Sequence, residues 1–340
     1  AQIATIFLGI LIFIDDYFNC LTVGSVMKPV TDKYKVSREK LAYLIDATAA
    51  PICIIAPISS WAAAVSGFVN EGENGIALFC RAIPFNFYAF FTIVMTLFLA
   101  AKNFEFGAMA KAEKQMQDKS QKEYEAADNP KACVIDLILP IVALIFFCVL
   151  GMIYTGGFFS AQIAGEAEGS LVANAAYLNF VEAFAASDAS VGLVLGSFAA
   201  LIVTIVFYLC RRIISFKEIM ACVPDGFKAM VPAILILTLA WTLKAMTDSL
   251  GAKEYVAGIV GSSAQGLKNM LPAIIFAIAC GLAFATGTSW GTFGILIPIC
   301  IAAFPDASDP IRIISISACM AGAVCGDHIS PISDTTIMAR

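Results

Sequence analysis

Charge is scarce in this chain: Asp, Glu, Lys and Arg make up only 14% of 340 residues, while 60% are hydrophobic. A soluble domain carries about 25% charged and about 45–50% apolar residues, so the surplus apolar surface here has to face lipid. Mean hydropathy is +0.85. Histidine is nearly absent, with His328 alone. There is no H-E-x-x-H pair, P-loop or dinucleotide fingerprint, and no nucleophile–base set beyond His328 with distant serines. The chain is therefore read as no enzyme, with no resident cofactor and no nucleic-acid partner.

Also lacking is any C-x-x-C spacing. The eleven cysteines are scattered and fall mostly within apolar stretches, so they read as small buried thiols at helix contacts rather than redox or metal groups. No charged start followed by a short apolar stretch and a small-residue cleavage site is visible. Residue 1 already lies inside an apolar stretch, and the chain reads as a fragment of a longer protein.

What is abundant is apolar sequence in runs of spanning length, roughly 20 residues. Such runs cover about 1–27, 41–69, 76–101, 134–155, 190–210, 228–247, 271–304 and 311–327. Between them the charges segregate. Residues 28–40 carry Lys28, Lys33, Lys35, Arg38 and Lys40, residues 102–131 hold six lysines, and 211–228 hold Arg211, Arg212, Lys217 and Lys228. By contrast, 156–189 contains Glu166, Glu168, Glu182 and Asp188 and no Lys or Arg. The positive-inside rule puts the basic loops in the cytoplasm and the acidic ones outside, for a multi-pass protein of the cytoplasmic membrane.

Four regions follow: 1–101, a first repeat region with broken helices; 102–131, a cytoplasmic linker whose mixed charge from Ala110 to Ala127 reads as a solvated helix; 132–247, intervening spans; and 248–340, a second repeat region. The repeat rests on matched fragments. Thr22-Val23-Gly24 recurs as Thr292-Phe293-Gly294 at an offset of 270, and Arg38 with Pro57-Ile58-Ser59 recurs as Arg312 with Pro331-Ile332-Ser333 at an offset of 274. In each copy a polar stretch interrupts an apolar segment, Asp15 to Asn19 in one and Thr286 to Trp290 in the other, and a second segment ends in Pro-Ile-Ser. Paired interruptions of this kind mark discontinuous membrane helices, and transporters set their substrate between two such repeats. Span counting favours parallel copies. The acidic character of Asp306 and Asp309, opposite in sign to the 28–40 loop, favours inversion, which re-entrant hairpins near 252–290 would reconcile. The fold expected is an all-α polytopic membrane protein with two repeats, read as inverted, and discontinuous or re-entrant helices.

The chemistry concentrates at the breaks. Carboxylates at membrane depth cost about 2.5–3.5 kcal/mol on insertion scales and are kept where something binds or moves. Asp327 and Asp334 are the first candidates for a site that holds either a cation or a proton, with Asp15 and Asp16 opposing them. Adjacent helical residues project about 100° apart, so one of Asp15 and Asp16 is structural or the helix is unwound there. Asn19, Thr288, Ser289, Ser330, Ser333 and Thr335 offer neutral oxygens that suit a hard cation, or else bond nearby helix carbonyls. His328 either relays protons or is a fixed hydrogen-bond partner of Asp327. Asp46 and Lys244, within spans, are explained by an ion pair or by snorkelling, and Trp61, Trp241 and Trp290 by packing or interface anchoring.

Asp15-Asp16-Tyr17-x-Asn19, Ala56-Pro57-Ile58-Ser59-Ser60-Trp61, Gly287-x-Ser289-Trp290-x-Thr292-x-Gly294 and the run from Gly326 through Thr336 resemble the NhaC-type sodium/proton antiporter family, across essentially the whole chain. The resemblance implies a secondary transporter of the ion-transporter superfamily that exchanges Na⁺ for H⁺ at the named carboxylates. Relatives also include sodium-linked antiporters of small organic acids. A malate- or lactate-type or amino-acid exchanger is thus the alternative, with a carboxylate held at helix starts near Ser60 or Thr288. Membrane lipid, Na⁺ and H⁺ are the partners implied, and a homodimer is left open.

Overall fold

The computed structural model describes residues 1–69, 73–118, 133, 135–164, 171–251, 265–304 and 306–339. Four helices open the chain: α1 (Gln2–Leu11), α2 (Asp16–Lys33), α3 (Arg38–Cys53) and α4 (Ser60–Ser66). α5 (Gly75–Ala82) passes through one tight turn (Ile83–Phe85) into α6 (Phe87–Lys102), and α7 (Gly107–Asp118) follows. Next come α8 (Ile135–Thr155), α9 (Phe180–Ala185), α10 (Ala189–Arg211) and α11 (Phe216–Ser249). The last group is α12 (Gln265–Thr286), α13 (Ser289–Ala303), α14 (Pro310–His328) and α15 (Asp334–Ala339).

The helical expectation holds, with one addition. In the acidic 156–189 region, β1 (Gln162–Ala164) and β2 (Leu171–Ala173) pair antiparallel, Gln162 opposite Ala173.

Among the described residues five helices are long and apolar enough to cross a membrane: Phe87–Met116, Ile138–Thr155, Val191–Arg211, Asn269–Thr286 and Pro310–His328. The apolar stretches 1–27, 41–69 and 271–304 are each two helices, split at 12–15, 54–59 and 287–288. The expected hairpin near 252–290 is not seen in its described part, since α12 runs unbroken from 265 to 286. Residues 252–264 lie outside the described residues.

α14 is the axis of the molecule: 72% of it is buried, against 11–22% of the other four spanning candidates. Two glycines let it approach α12. A side chain at Gly322 would strike the Phe276 carbonyl, and one at Gly326 the Cys280 carbonyl, so backbones meet there as small residues allow in membranes. The main apolar core gathers around Trp61, Phe79, Phe293 and Met320.

The described part of 102–131 keeps most of its residues exposed or half-exposed, as a solvated helix would, and is anchored at two points. The Ser37 N–H donates to Glu113 Oε1 at 2.8 Å, and Lys40 Nζ, nearly fully buried, lies 2.6 Å from Glu105 Oε1. A buried ammonium needs such a partner, and α7 is pinned beside the start of α3 as a result. Residues 119–132 lie outside the described residues. In a second buried pair, the Arg312 guanidinium at the start of α14 bonds both carboxylate oxygens of Glu73, at 3.1 and 2.5 Å.

Candidate functional site

Each of the four breaks is made by identifiable residues. Between α1 and α2 the chain extends at Asp15 (φ −151°, ψ 135°), whose carboxylate caps α2 by accepting from the Phe18 N–H at 2.9 Å. Unwinding α1 frees carbonyls at membrane depth, where every backbone group must find a partner inside the protein. Asn19 supplies it: its amide nitrogen donates to the carbonyls of Gly9 and Ile12 at 2.7 and 2.8 Å. Between α3 and α4, Ser59 Oγ does the same for the carbonyls of Cys53 and Ala56.

At the other end of the sequence, α12 stops at Gly287, whose φ of +69° is a left-handed conformation that favours glycine. Thr288 then extends (φ −147°, ψ 128°) and α13 begins at Ser289. After α14, Ser330 Oγ donates to the Phe284 carbonyl at 2.8 Å, and Ser333 Oγ accepts from the Thr336 N–H to start α15. The breaks join in pairs through the backbone. The N–H of Ser60, first residue of α4, donates to the Ile14 carbonyl at 2.7 Å, and the N–H of Asp334, first residue of α15, donates to the Gly287 carbonyl at 2.9 Å.

Around these crossings stand four aspartates. Asp16, Asp327 and Asp334 are all at most 1% exposed. Asp16 accepts from Trp290 Nε1 at 3.2 and 3.3 Å. Tyr17 Oη, one residue on, donates to Asp334 Oδ2 at 2.6 Å, and its ring stacks at 6.4 Å on Trp290. Ser289 Oγ donates to Asp327 Oδ2 at 2.7 Å, leaving Asp327 Oδ1 buried without a donor. Asp16 lies within electrostatic reach of Asp334, and Asp334 of Asp327. Residues from opposite ends of the chain thus share one neighbourhood. Asp15 diverges from it, engaged with the Phe18 N–H and with Ser60 Oγ at 3.0 Å, because its backbone is extended where the helix is unwound.

The neutral oxygens separate into two groups. Ser330 is taken up by the Phe284 carbonyl, and Ser333 by Thr335 Oγ1 at 3.1 Å and by the Thr336 N–H. Asn19 Oδ1 and Thr288 Oγ1 are buried and make no hydrogen bond within 3.5 Å among the described residues, Thr288 lying beside the Asp334 carboxylate. His328 does not bond Asp327: its Nδ1 meets Tyr88 Oη of α6 at 2.9 Å, while Nε2 is buried without a partner. Among the described residues no group of three or more His, Cys, Asp or Glu is arranged to hold a metal ion.

Four participants escape a reading of the sequence. Tyr17 and Trp290 contact the carboxylates through hydrogen bonds that no spacing reveals, although both adjoin residues of the motifs. Tyr88 carries no local signal. Asp46 is buried and makes no ion pair among the described residues; its Oδ2 accepts from Thr336 Oγ1 at 2.8 Å. The side chains of Trp241 and Lys244 lie outside what the structure describes.

The pattern shared by the Na⁺/H⁺ antiporter family matches residues 68–339. This chain belongs to the Na⁺/H⁺ antiporter family. The match takes in Thr288, Ser289, Asp327, His328, Ser330, Ser333, Asp334 and Thr335, whereas Asp15, Asp16 and Asn19 precede it. The antiporter-family chain is 38% identical over 335 residues to an uncharacterised protein of Haemophilus influenzae, covering 96% of this chain and 62% of that one. It is 32% identical over 133 residues to a Bacillus subtilis protein named malate-2H(+)/Na(+)-lactate antiporter, covering 37% of this chain and 26% of that one. The chain therefore spans less than two thirds of the length of these relatives. No solved structure matches it.

Proposed function

We propose that this protein is a secondary transporter that exchanges Na⁺ for H⁺ across the cytoplasmic membrane by alternating access, with Asp16, Asp327 and Asp334 as the carboxylates over which the two ions compete. One observation carries the reading: the first residue of α2, the end of α14 and the first residue of α15 bury three carboxylates together at the crossing of broken helices. Such a group is unstable as three bare anions. It is relieved by a cation or by protons, and occupancy by one excludes the other. Asp327 Oδ1, Asn19 Oδ1 and Thr288 Oγ1, all buried and without a hydrogen bond among the described residues, are the oxygens best suited to receive Na⁺.

The matched breaks support two structural repeats. Asp15 and Thr288 are both extended N-caps, and the carbonyl before each accepts from the first N–H of a short helix, Ser60 or Asp334. This pairs Asp15 with Thr288, two residues from the pairing read off the sequence. Inverted repeats would place the two crossings as mirror gates around one site, each opening to a different side. The basic loops 28–40 and 102–131 would then face the cytoplasm. The test is Asp327→Asn and Asp334→Asn in the full-length protein. Each is expected to abolish Na⁺-driven proton movement while leaving membrane insertion intact, and wild-type exchange in both would remove these residues from the site.

A second reading is favoured by the similarity to the Bacillus subtilis malate-2H(+)/Na(+)-lactate antiporter. In that reading the same carboxylates couple cations to a small organic acid, whose carboxylate is held by the freed N–H groups where α13 begins.

A further inference from the structure

Asp46 is the ninth residue of the sixteen in α3, at the middle of a largely buried helix, and it is 8% exposed. Among the described residues no Lys, Arg or His forms a salt bridge with it. Its Oδ2 accepts from Thr336 Oγ1 at 2.8 Å, a bond between residues 290 apart, while its Oδ1 is buried with no donor among the described residues. A desolvated carboxylate oxygen left without a partner is costly anywhere and more so inside a bilayer. Thr336 stands two residues beyond Asp334 on α15, and Asp46 lies within electrostatic reach of Asp327. The hydrogen-bond partners are nonetheless distinct: Asp46 bonds Thr336, whereas Asp327 accepts from Ser289, and Asp334 from Tyr17 and the Thr335 N–H.

We propose that Asp46 and Thr336 form a second cation station for a small hard monovalent ion such as Na⁺, next to the Asp327 and Asp334 carboxylates and separate from them. The proposal rests on the ion-exchange reading above. The ligands are Asp46 Oδ1 and the free lone pair of Thr336 Oγ1, both hard oxygens of the kind such an ion prefers. Because α15 carries both Thr336 and Asp334, filling one station fixes the helix that bears the other. The two sites are therefore coupled, and occupancy by Na⁺ is cooperative.

The test is the Na⁺ dependence of proton movement by the full-length protein in lipid vesicles. Wild type is expected to show a Hill coefficient above one. Asp46→Asn keeps an acceptor for Thr336 but loses the charge, so exchange persists, the Hill coefficient falls to one, and half-saturating Na⁺ rises about tenfold, as loss of a charge-assisted contact implies. Thr336→Val shifts both quantities in the same direction and Thr336→Ser restores them; this pair decides the matter if Asp46→Asn does not accumulate. A hyperbolic wild-type curve, or wild-type behaviour in Asp46→Asn and Thr336→Val, overturns the second station alone. A wild type without Na⁺ dependence overturns the exchange reading as well.

Discussion

Replacing Gly287 by alanine should open the crossing that holds Asp334 in place. Gly287 has φ +69°, and a side chain there costs about 1–2 kcal/mol in a left-handed conformation. The added Cβ would also sit 2.8 Å from the Ile332 carbonyl carbon and its Cγ1, and closer still to the Ile332 carbonyl oxygen. Backbone cannot swing aside as a flexible side chain can, so the turn from Ser330 to Ser333 must retreat by about 0.6 Å in an interior packed without slack. Its retreat stretches the bond from the Asp334 N–H to the Gly287 carbonyl, now 2.9 Å, worth about 0.5–1.5 kcal/mol. Together these effects destabilise the protein by roughly 2–4 kcal/mol and displace a carboxylate of the site. Two assays read the effect: thermal aggregation of purified protein in detergent and Na⁺-driven proton movement in vesicles. Gly287→Ala should aggregate at lower temperature and lose at least about tenfold in rate, since misplacing a working group by an ångström costs up to ~10²-fold. Gly281→Ala is the control, because nothing lies within 4 Å of a Cβ added there. If the two variants behave alike in both assays, the crossing does not hold the site.

Other perturbations test other links. Glu73→Gln takes the carboxylate from the fully buried Arg312 guanidinium and should cost about 3–5 kcal/mol, whereas Asp225→Asn, in an exposed pair with Lys228, should cost about 0–1 kcal/mol; equal melting temperatures would contradict the role given to burial. His328→Ala should shift the pH profile of exchange if the ring relays protons through Tyr88 Oη, and Tyr88→Phe should do the same without adding to it in the double variant. An unchanged profile assigns both to structure. Ser289→Ala removes the 2.7 Å hydroxyl donor to Asp327 Oδ2 and should lower Na⁺ affinity by about 10-fold, measured as half-saturating Na⁺; an unaltered value would make that bond irrelevant to the ion.

The breaks were legible in the sequence because polar residues inside apolar runs have no other use in lipid. Asp15, Gly287 and the two Pro-Ile-Ser turns all lie where helices end. Which residue at each break adopts the extended cap was not legible, because the backbone conformation and not the residue type sets it. Asp15 and Thr288 do so, although the sequence pairing set Asp15 against Thr286. Partners across space were invisible for a similar reason. His328 stands next to Asp327, yet neighbours on a helix point apart, and its contact comes from Tyr88, 240 residues earlier. Asp46 looked like an isolated charge awaiting a cation or an interface, and only the packing of α15 on α3 discloses Thr336. The mixed charges of 102–118 read as a solvated face, as most of that segment is, but nothing in them discloses that Glu105 and Glu113 serve Lys40 and the Ser37 N–H.

Purified full-length protein in sealed vesicles, given a Na⁺ gradient and no organic solute, tests the central claim most directly. Competition of Na⁺ and H⁺ for Asp16, Asp327 and Asp334 predicts proton movement against the Na⁺ gradient, abolished in Asp327→Asn. Absence of any proton movement until a small organic acid is supplied would contradict it.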